Sequence, residues 1–205
     1  QAQEGDYRLQ LDNGKTLNCE LAILADGGRS GLRQQLGIHC NERSYGQTAI
    51  ITTVSTSQHH DGWAFERFTP DGPIALLPMT DNRFVLIWTR LPDEAERLAG
   101  LPEREFLDEL QDCFGYRMGS FVQVGQRHLY PLSLVQSSEQ VRRNLVVLGN
   151  AAHSLHPIAG QGYNLSLRDA MALADTLLTS QKPLGDLATL QVYAAGQQLD
   201  QDLTI

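Results

Sequence analysis

A mixed α/β fold, with an α+β portion in the middle, is predicted for this chain by three observations. Residues 145–178 read as an apolar strand, a glycine loop and a long helix. Residues 7–36 read as a hairpin, a second apolar strand and a short capped helix. Residues 45–90, between them, alternate like a meander whose connections are too short for crossovers. These readings divide the chain at 1–44, 45–135 and 136–205. The outer two segments belong to one α/β domain, and the middle one forms an antiparallel sheet with helices on one side.

The elements follow in order. Tyr7, Leu9 and Leu11 alternate with polar residues, as do Leu17, Cys19 and Leu21, and Asn13-Gly14 between them predicts a type I′ hairpin turn. Leu21 to Ala25 is apolar throughout, which suits a strand covered on both faces. Asp26-Gly27-Gly28 ends it, and Ser30 can cap a helix holding Leu32, Arg33 and Leu36 that Gly37 closes. Strands are expected over Ala49–Val54, Trp63–Thr69, Ile74–Leu77 and Phe84–Trp88, with turns at 70–73 and at Asp81-Asn82. Asp93 to Glu96 suggests a capping box. Pro102 opens a helix with Phe106, Leu110 and Cys113 on one face, stopped by Gly115. Ser120 to Tyr130 adds a strand. Leu145–Leu148 is a buried strand, and Leu167, Ala170, Met171, Ala174, Leu177 and Leu178 mark the apolar face of the last helix read.

A strand that feeds a glycine loop and then a helix leaves backbone N–H groups bare at the positive end of the helix dipole, where an electron-rich group fits. Such a loop before a helix is common, and a plain αβ connection explains it as well. The second segment adds weight. In open α/β sheets ligands bind beyond the carboxyl ends of strands, and Asp26 and Asn150 both follow strands there.

Composition excludes several classes. A hydrophobic share of 41% with 20% charged residues describes an ordinary globular chain, and net charge −8 argues against nucleic acid as a partner. No run approaches the ~20 apolar residues of a membrane-spanning helix, and no signal peptide is evident. Three scattered cysteines, Cys19, Cys40 and Cys113, suit a reducing cytoplasm. His59-His60 reads as a solvated loop, His153 and His156 lack a helix to align them, and there is no nucleophile elbow for a serine hydrolase.

The motifs are more specific. Ala25-Asp26-Gly27-Gly28-Arg29-Ser30-Gly31-Leu32-Arg33 resembles the ADGxxSxxR motif of the FAD-dependent aromatic hydroxylases. Gly149-Asn150-Ala151-Ala152-His153 resembles their GDAAH motif, and Pro157-Ile158-Ala159-Gly160-Gln161-Gly162-Tyr163-Asn164 its continuation, with Asp169 further along. Phe65-Glu66-Arg67-Phe68 and Gly72 to Pro78 are similar to the branch that hydroxylates ubiquinone precursors, the 2-polyprenyl-6-methoxyphenol hydroxylases above all. Asn150 stands where most of the family has Asp, and the resemblance implies a contact with the ribityl chain of FAD, for which Asn can accept through its amide oxygen and donate through its nitrogen without the charge.

The resemblance implies a fragment of a Rossmann-like FAD-binding domain plus a substrate domain. It implies that NADPH or NADH reduces a bound FAD and that dioxygen then supplies one oxygen to a polyprenylated phenol. Cofactor contacts are expected at Asp26, Gly27, Arg33, Gly149, Asn150, Pro157, Gly160, Gln161, Gly162, Tyr163 and Asn164, with no side-chain acid or base assigned and no metal. Trp63, Phe65, Phe68, Phe84 and Trp88 could line a phenol pocket or simply be core. Gln1 in place of Met and the missing GxGxxG turn lead to the expectation of an internal piece of a longer hydroxylase, inactive by itself. A cytoplasmic location is expected, with contact at most peripheral to the inner face of the membrane and other ubiquinone-pathway proteins as partners. Two readings stay open beside it: a flavoprotein hydroxylase with another phenolic substrate, and a non-catalytic assembly module.

Overall fold

The structure is a computed structural model that describes residues 7–28, 30–157 and 160–205. In chain order its elements are β1 Tyr7–Gln10, β2 Thr16–Cys19, β3 Ala22–Leu24, α1 Gly31–Gln35, β4 Cys40–Thr56, β5 Phe65–Thr69, β6 Gly72–Met79 and β7 Arg83–Arg90. Then come α2 Pro92–Gly100, α3 Glu103–Phe114, β8 Phe121–Val124, β9 His128–Ser137, β10 Val141–Arg142, β11 Leu145–Val147, a 3-10 turn at Gly149–Ala151, β12 His153–Ser154, α4 Gln161–Thr179 and α5 Leu187–Thr204. Two compact units result: residues 1–43 with 133–205, and residues 44–132.

The second unit is the inserted one. Its strands run in the order β9-β4-β7-β6-β5, with β8 also on β4. The β4/β7 register pairs Ile50 with Trp88, Thr52 with Leu86 and Val54 with Phe84, and β6 adds Ile74 and Leu76 to the same face. Paired residues of antiparallel strands share a face, so one side of the sheet is continuously apolar. Ala95 and Leu98 of α2 and Phe106, Leu110 and Phe114 of α3 cover it. Trp88 meets Phe106 edge-on at 5.7 Å, and Phe114 meets Phe121 likewise at 5.7 Å. Phe84 and Trp88 are therefore core, whereas Trp63 and Phe68 are 67% and 68% exposed. Arg67, suspect in an aromatic strand, donates from Nη1 to the Phe114 carbonyl at 2.8 Å.

In the first unit β11 pairs parallel with β3, aligning Leu145, Val146 and Val147 with Ala22, Ile23 and Leu24, and β10 runs antiparallel along the other edge of β11. Alternation divides β11 between two cores. Leu145 and Val147 join Tyr7, Leu24 and Ile38, while Val146 joins Leu173 of α4 with Leu190 and Tyr193 of α5. An unbroken apolar run is what a strand buried on both faces requires.

Four local expectations are corrected. The hairpin turn is not type I′, because only Gly14 has positive φ; its N–H bonds the Leu11 carbonyl and Leu11 N–H bonds Lys15, a type I turn closed by a left-handed glycine. No capping box forms at α2, where Leu91 is the N-cap and Pro92 opens the helix without a side-chain bond. The strand expected over 120–130 is broken into β8 and the start of β9. The largest correction concerns α4. Leu165, Asp169 and Leu173 face inward, while Leu167, Met171 and Leu178 of the expected apolar face are 47%, 61% and 81% exposed. Two positions along a helix are about 200° of rotation, so the buried side lies almost opposite the expected one. Asp169, a charged residue that sequence patterning places outside, lies on the inward face, where it is paired.

Gly72 has φ +132°, and a Cβ on it would lie 2.6 Å from the Thr89 carbonyl oxygen. Gly196 sits inside α5 with nothing within 4 Å of such an atom. Gly72→Ala is expected to destabilise the inserted unit by about 1–3 kcal/mol, and Gly196→Ala to stabilise by about 0.5–1 kcal/mol. Urea denaturation of each variant checks the opposite signs.

Candidate functional site

The parallel register of β3 with β11 brings two loops to one end of a sheet. Leu148 N–H continues the ladder to the Leu24 carbonyl at 2.9 Å, so Asp26 and the Gly149–Ala151 turn leave the sheet side by side. A Cβ on Gly28 would stand 3.6 Å from the Asn150 carbonyl oxygen and 3.6 Å from Ser154 Cβ. One on Gly149 would be 3.8 Å from Ser166 of α4, and one on Gly162 would be 3.8 Å from Leu155. The Asp26 loop, the turn after β11 and the first turns of α4 thus form one connected layer.

Arg33 ties that layer together. It is 5% exposed, donating from Nη2 to the Gly28 carbonyl at 2.8 Å and from Nη1 to the Ala151 carbonyl. One planar guanidinium thereby holds both loops, a fork geometry that lysine cannot reproduce. Ser30 orients the other side: its Oγ caps α1 by accepting from Arg33 N–H at 2.9 Å and donates to Asp26 Oδ2 at 2.9 Å. Asp26 remains exposed, as do Asn150, Gln161, Tyr163 and Asn164, while Gly27, Gly149, Pro157 and Gly162 are half-buried. Arg29, Ile158 and Ala159, part of the two motifs, lie outside the described residues.

Gly160 caps α4 with φ +65° and ψ 19°, a left-handed conformation that favours glycine. Asn164 N–H makes the first helical bond to the Gly160 carbonyl at 3.1 Å. Helix geometry leaves the N–H groups of Gln161, Gly162 and Tyr163 without intrahelical acceptors. Among the described residues, a Cβ on Gly160 or Gly27 would meet nothing within 4 Å. Backbone donors at the positive end of a 19-residue helix are a donor set that fits the electron-rich edge of a flavin.

Behind the layer lies a buried polar group that the reading of binding residues passed over. His153 Nε2 and Asp169 Oδ2 are 2.6 Å apart, both 1% exposed. Gln201 Nε2 approaches the two Asp169 oxygens at 3.3 and 3.4 Å, and Gln201 and Gln140 exchange amide bonds at 2.7 and 3.1 Å. Both His153 and Asp169 lie in the recognised motifs, so the signal was present; their pairing was not visible without the fold. Tyr193, 2% exposed, packs close by, and burial together with the Asp169 charge raises its phenol above the ordinary range.

Strand-end loops and a helix start thus converge at one end of the parallel strand pair. The chain belongs to the FAD-binding-domain family, whose match runs over residues 1–198. It is 42% identical over 172 residues to the ubiquinone hydroxylase UbiL of Rhodospirillum rubrum, covering 84% of this chain and 40% of that protein. It is 34% identical over 173 residues to 3-demethoxyubiquinol 3-hydroxylase of Escherichia coli, covering 84% of this chain and 44% of that one. Among solved structures, PqsL of Pseudomonas aeruginosa in complex with 2-aminobenzoylacetate superposes with a TM-score of 0.77 at 23% identity, covering 97% of this chain and 56% of PqsL. The fold is that of an FAD-binding monooxygenase, and the chain spans less than half the length of the two curated relatives.

Two outcomes follow for the site's scaffold. Arg33→Ala leaves the Gly28 and Ala151 carbonyls without their donor and is expected to cost about 2–4 kcal/mol in urea denaturation, with Arg33→Lys recovering less than half. The Tyr193 hydroxyl is buried with no partner among the described residues. Tyr193→Phe should therefore be neutral to about 1 kcal/mol stabilising at pH 7. The unfolded chain gives up the phenol proton first, near the ordinary value of 10.0, so wild-type stability should fall as pH rises past it. Tyr7, also raised by burial, adds to the same fall, so the Phe variant should show a shallower slope, as read from melting temperature between pH 9 and 11.

Proposed function

We propose that this chain is the central part of an FAD-dependent monooxygenase that hydroxylates the aromatic ring of a polyprenylated phenol in ubiquinone biosynthesis, with NADPH or NADH as reductant. The observation that carries the reading is the parallel register of β3 and β11, which sets Asp26, Asn150 and the start of α4 at one sheet end. The relatives named for ubiquinone hydroxylation support the substrate class. Within that class, the motif likeness favours a 2-polyprenyl-6-methoxyphenol.

When bound, FAD would supply the redox and oxygen chemistry that no side chain can perform. The work of this chain is binding and electrostatics. The N–H groups of Gln161, Gly162 and Tyr163 would stabilise negative charge at the facing edge of the cofactor, with glycine at 160 and 162 allowing close backbone approach. Asn150 would accept from the ribityl chain, and Pro157 would pack beside the ring. Asp26, oriented by Ser30, would face the cleft where flavin and nicotinamide meet, with Gly27 leaving room for them. Arg33, already committed to two carbonyls, would act by holding both loops still.

In the intact enzyme, phenol-stimulated oxidation of NADPH or NADH and a product heavier by one oxygen are expected with a 2-polyprenyl-6-methoxyphenol. A colourless protein that consumes no nicotinamide would sink the enzyme reading. Among the described residues a Cβ at 162 meets only Leu155 Cβ, at 3.8 Å, so Gly162→Val should fold and yet lose flavin. Full flavin content in that variant, read from absorbance, would show that this helix start is not the cofactor's neighbour. Asn150→Asp keeps an acceptor and should retain FAD.

A further inference from the structure

We propose that His153 and Asp169 are a positioning pair: their buried contact selects which face of α4 turns inward and so sets how the helix's amino end meets the cofactor. The proposal rests on the flavin reading above for its consequence, but not for its cause.

The cause lies in the ambiguity of α4. Apolar residues line two sides of this helix. Leu165 and Leu173 face inward, while Tyr163, Leu167, Met171 and Leu178 lie outside, at 74%, 47%, 61% and 81% exposure. Ala172 and Leu177 also pack against the inner core, so both sides of the helix are apolar in part and hydrophobic burial by itself does not single out one face. A contact specific to the inner set can. On that face Asp169 has partners on other elements that apolar packing cannot imitate. Its carboxylate meets His153 Nε2 at 2.6 Å from β12 and Gln201 Nε2 at 3.3 and 3.4 Å from α5. Rotating α4 to bury the outer set would carry Asp169 into solvent and strand the imidazole, which is 1% exposed. Leaving a buried polar group unpaired is expensive.

The position of the pair gives it its consequence. His153 lies three residues after Asn150, and Asp169 is on the same helix as Gly162 and Tyr163, two turns further along. The pair therefore joins the two cofactor-facing pieces directly, behind the surface they present. A buried ion pair is weak evidence for stability, since an apolar pair of similar volume often serves as well. What it supplies here is one register in place of two. His153 and Asp169 are each 1% exposed and act through the elements they join, so they are positioning residues and not catalytic ones.

The test uses the intact enzyme and two readouts: the Kd for FAD by fluorescence titration, and hydrogen exchange of the flavin-free protein at residues 164–167. In Asp169→Leu, which leaves the buried imidazole unpaired, the melting temperature is expected to fall, while exchange at 164–167 rises at least tenfold more than exchange in α3 and the Kd for FAD rises at least tenfold. Asp169→Asn keeps an acceptor for His153 and should stay within about threefold of wild type on both. Wild-type exchange and Kd in Asp169→Leu would overturn the proposal and reduce the pair to packing. Should that variant not fold, His153→Leu/Asp169→Leu, which strands no polar group, decides: the same tenfold rises are expected, and wild-type exchange and Kd would overturn the proposal. If wild type binds no FAD yet the exchange pattern changes as stated, the flavin reading falls and the positioning role stands.

Discussion

The structure of the first unit depends on one long-range contact, the parallel pairing of Ala22–Leu24 with Leu145–Val147. The meeting of the two strand-end loops follows from it. The strand ends coincide, so the loops after them coincide, and Arg33 can bond carbonyls that include one 118 positions away in sequence. Closing so long a loop is less unfavourable than its length suggests, because the intervening residues fold on their own core. β4 and β9, which lead into and out of the inserted unit, are neighbours in its sheet. The effective loop is then short, and its entropy penalty grows only slowly with length.

The two units meet different physical demands. The inserted one has an interior of Trp, Phe, Leu and Ile under two amphipathic helices, where volume and register are enough. The first unit places Arg33, His153, Asp169 and Gln201 in its interior, each within reach of named partners. Such groups gain little net stability but penalise every wrong arrangement. A site that must present backbone donors within tenths of an ångström benefits more from a single arrangement than from a deeper minimum.

Much of this was legible in the amino-acid sequence, and the exceptions share a cause. Strand alternation located β4 to β7, Ser30 and Gly37 bounded α1, and Phe106 and Leu110 showed which face of α3 is covered. These are local patterns read by local rules. The inward face of α4 was misread because Asp169 belongs inside only when His153, sixteen positions away, is known to be its partner. The turn at Gly14 was given the wrong type because Asn-Gly suits more than one hairpin geometry. The helix at Pro92 lacks the box suggested by Asp93 and Glu96 because a proline at its first position starts it instead. For the site, the motifs marked the loops, but the guanidinium that binds them and the buried carboxylate behind them needed coordinates. No described helix is long and apolar enough to cross a membrane.

The hydroxyl of Ser30 has one further implication. Its only proton goes to Asp26 and a lone pair takes the Arg33 amide, so the relay from backbone to carboxylate runs in one direction. Polarisation at the start of α1 is thereby handed outward to an acidic group at the surface. A threonine would keep that wiring, whereas a cysteine, with its weak donor and acceptor, would cut the relay at both ends.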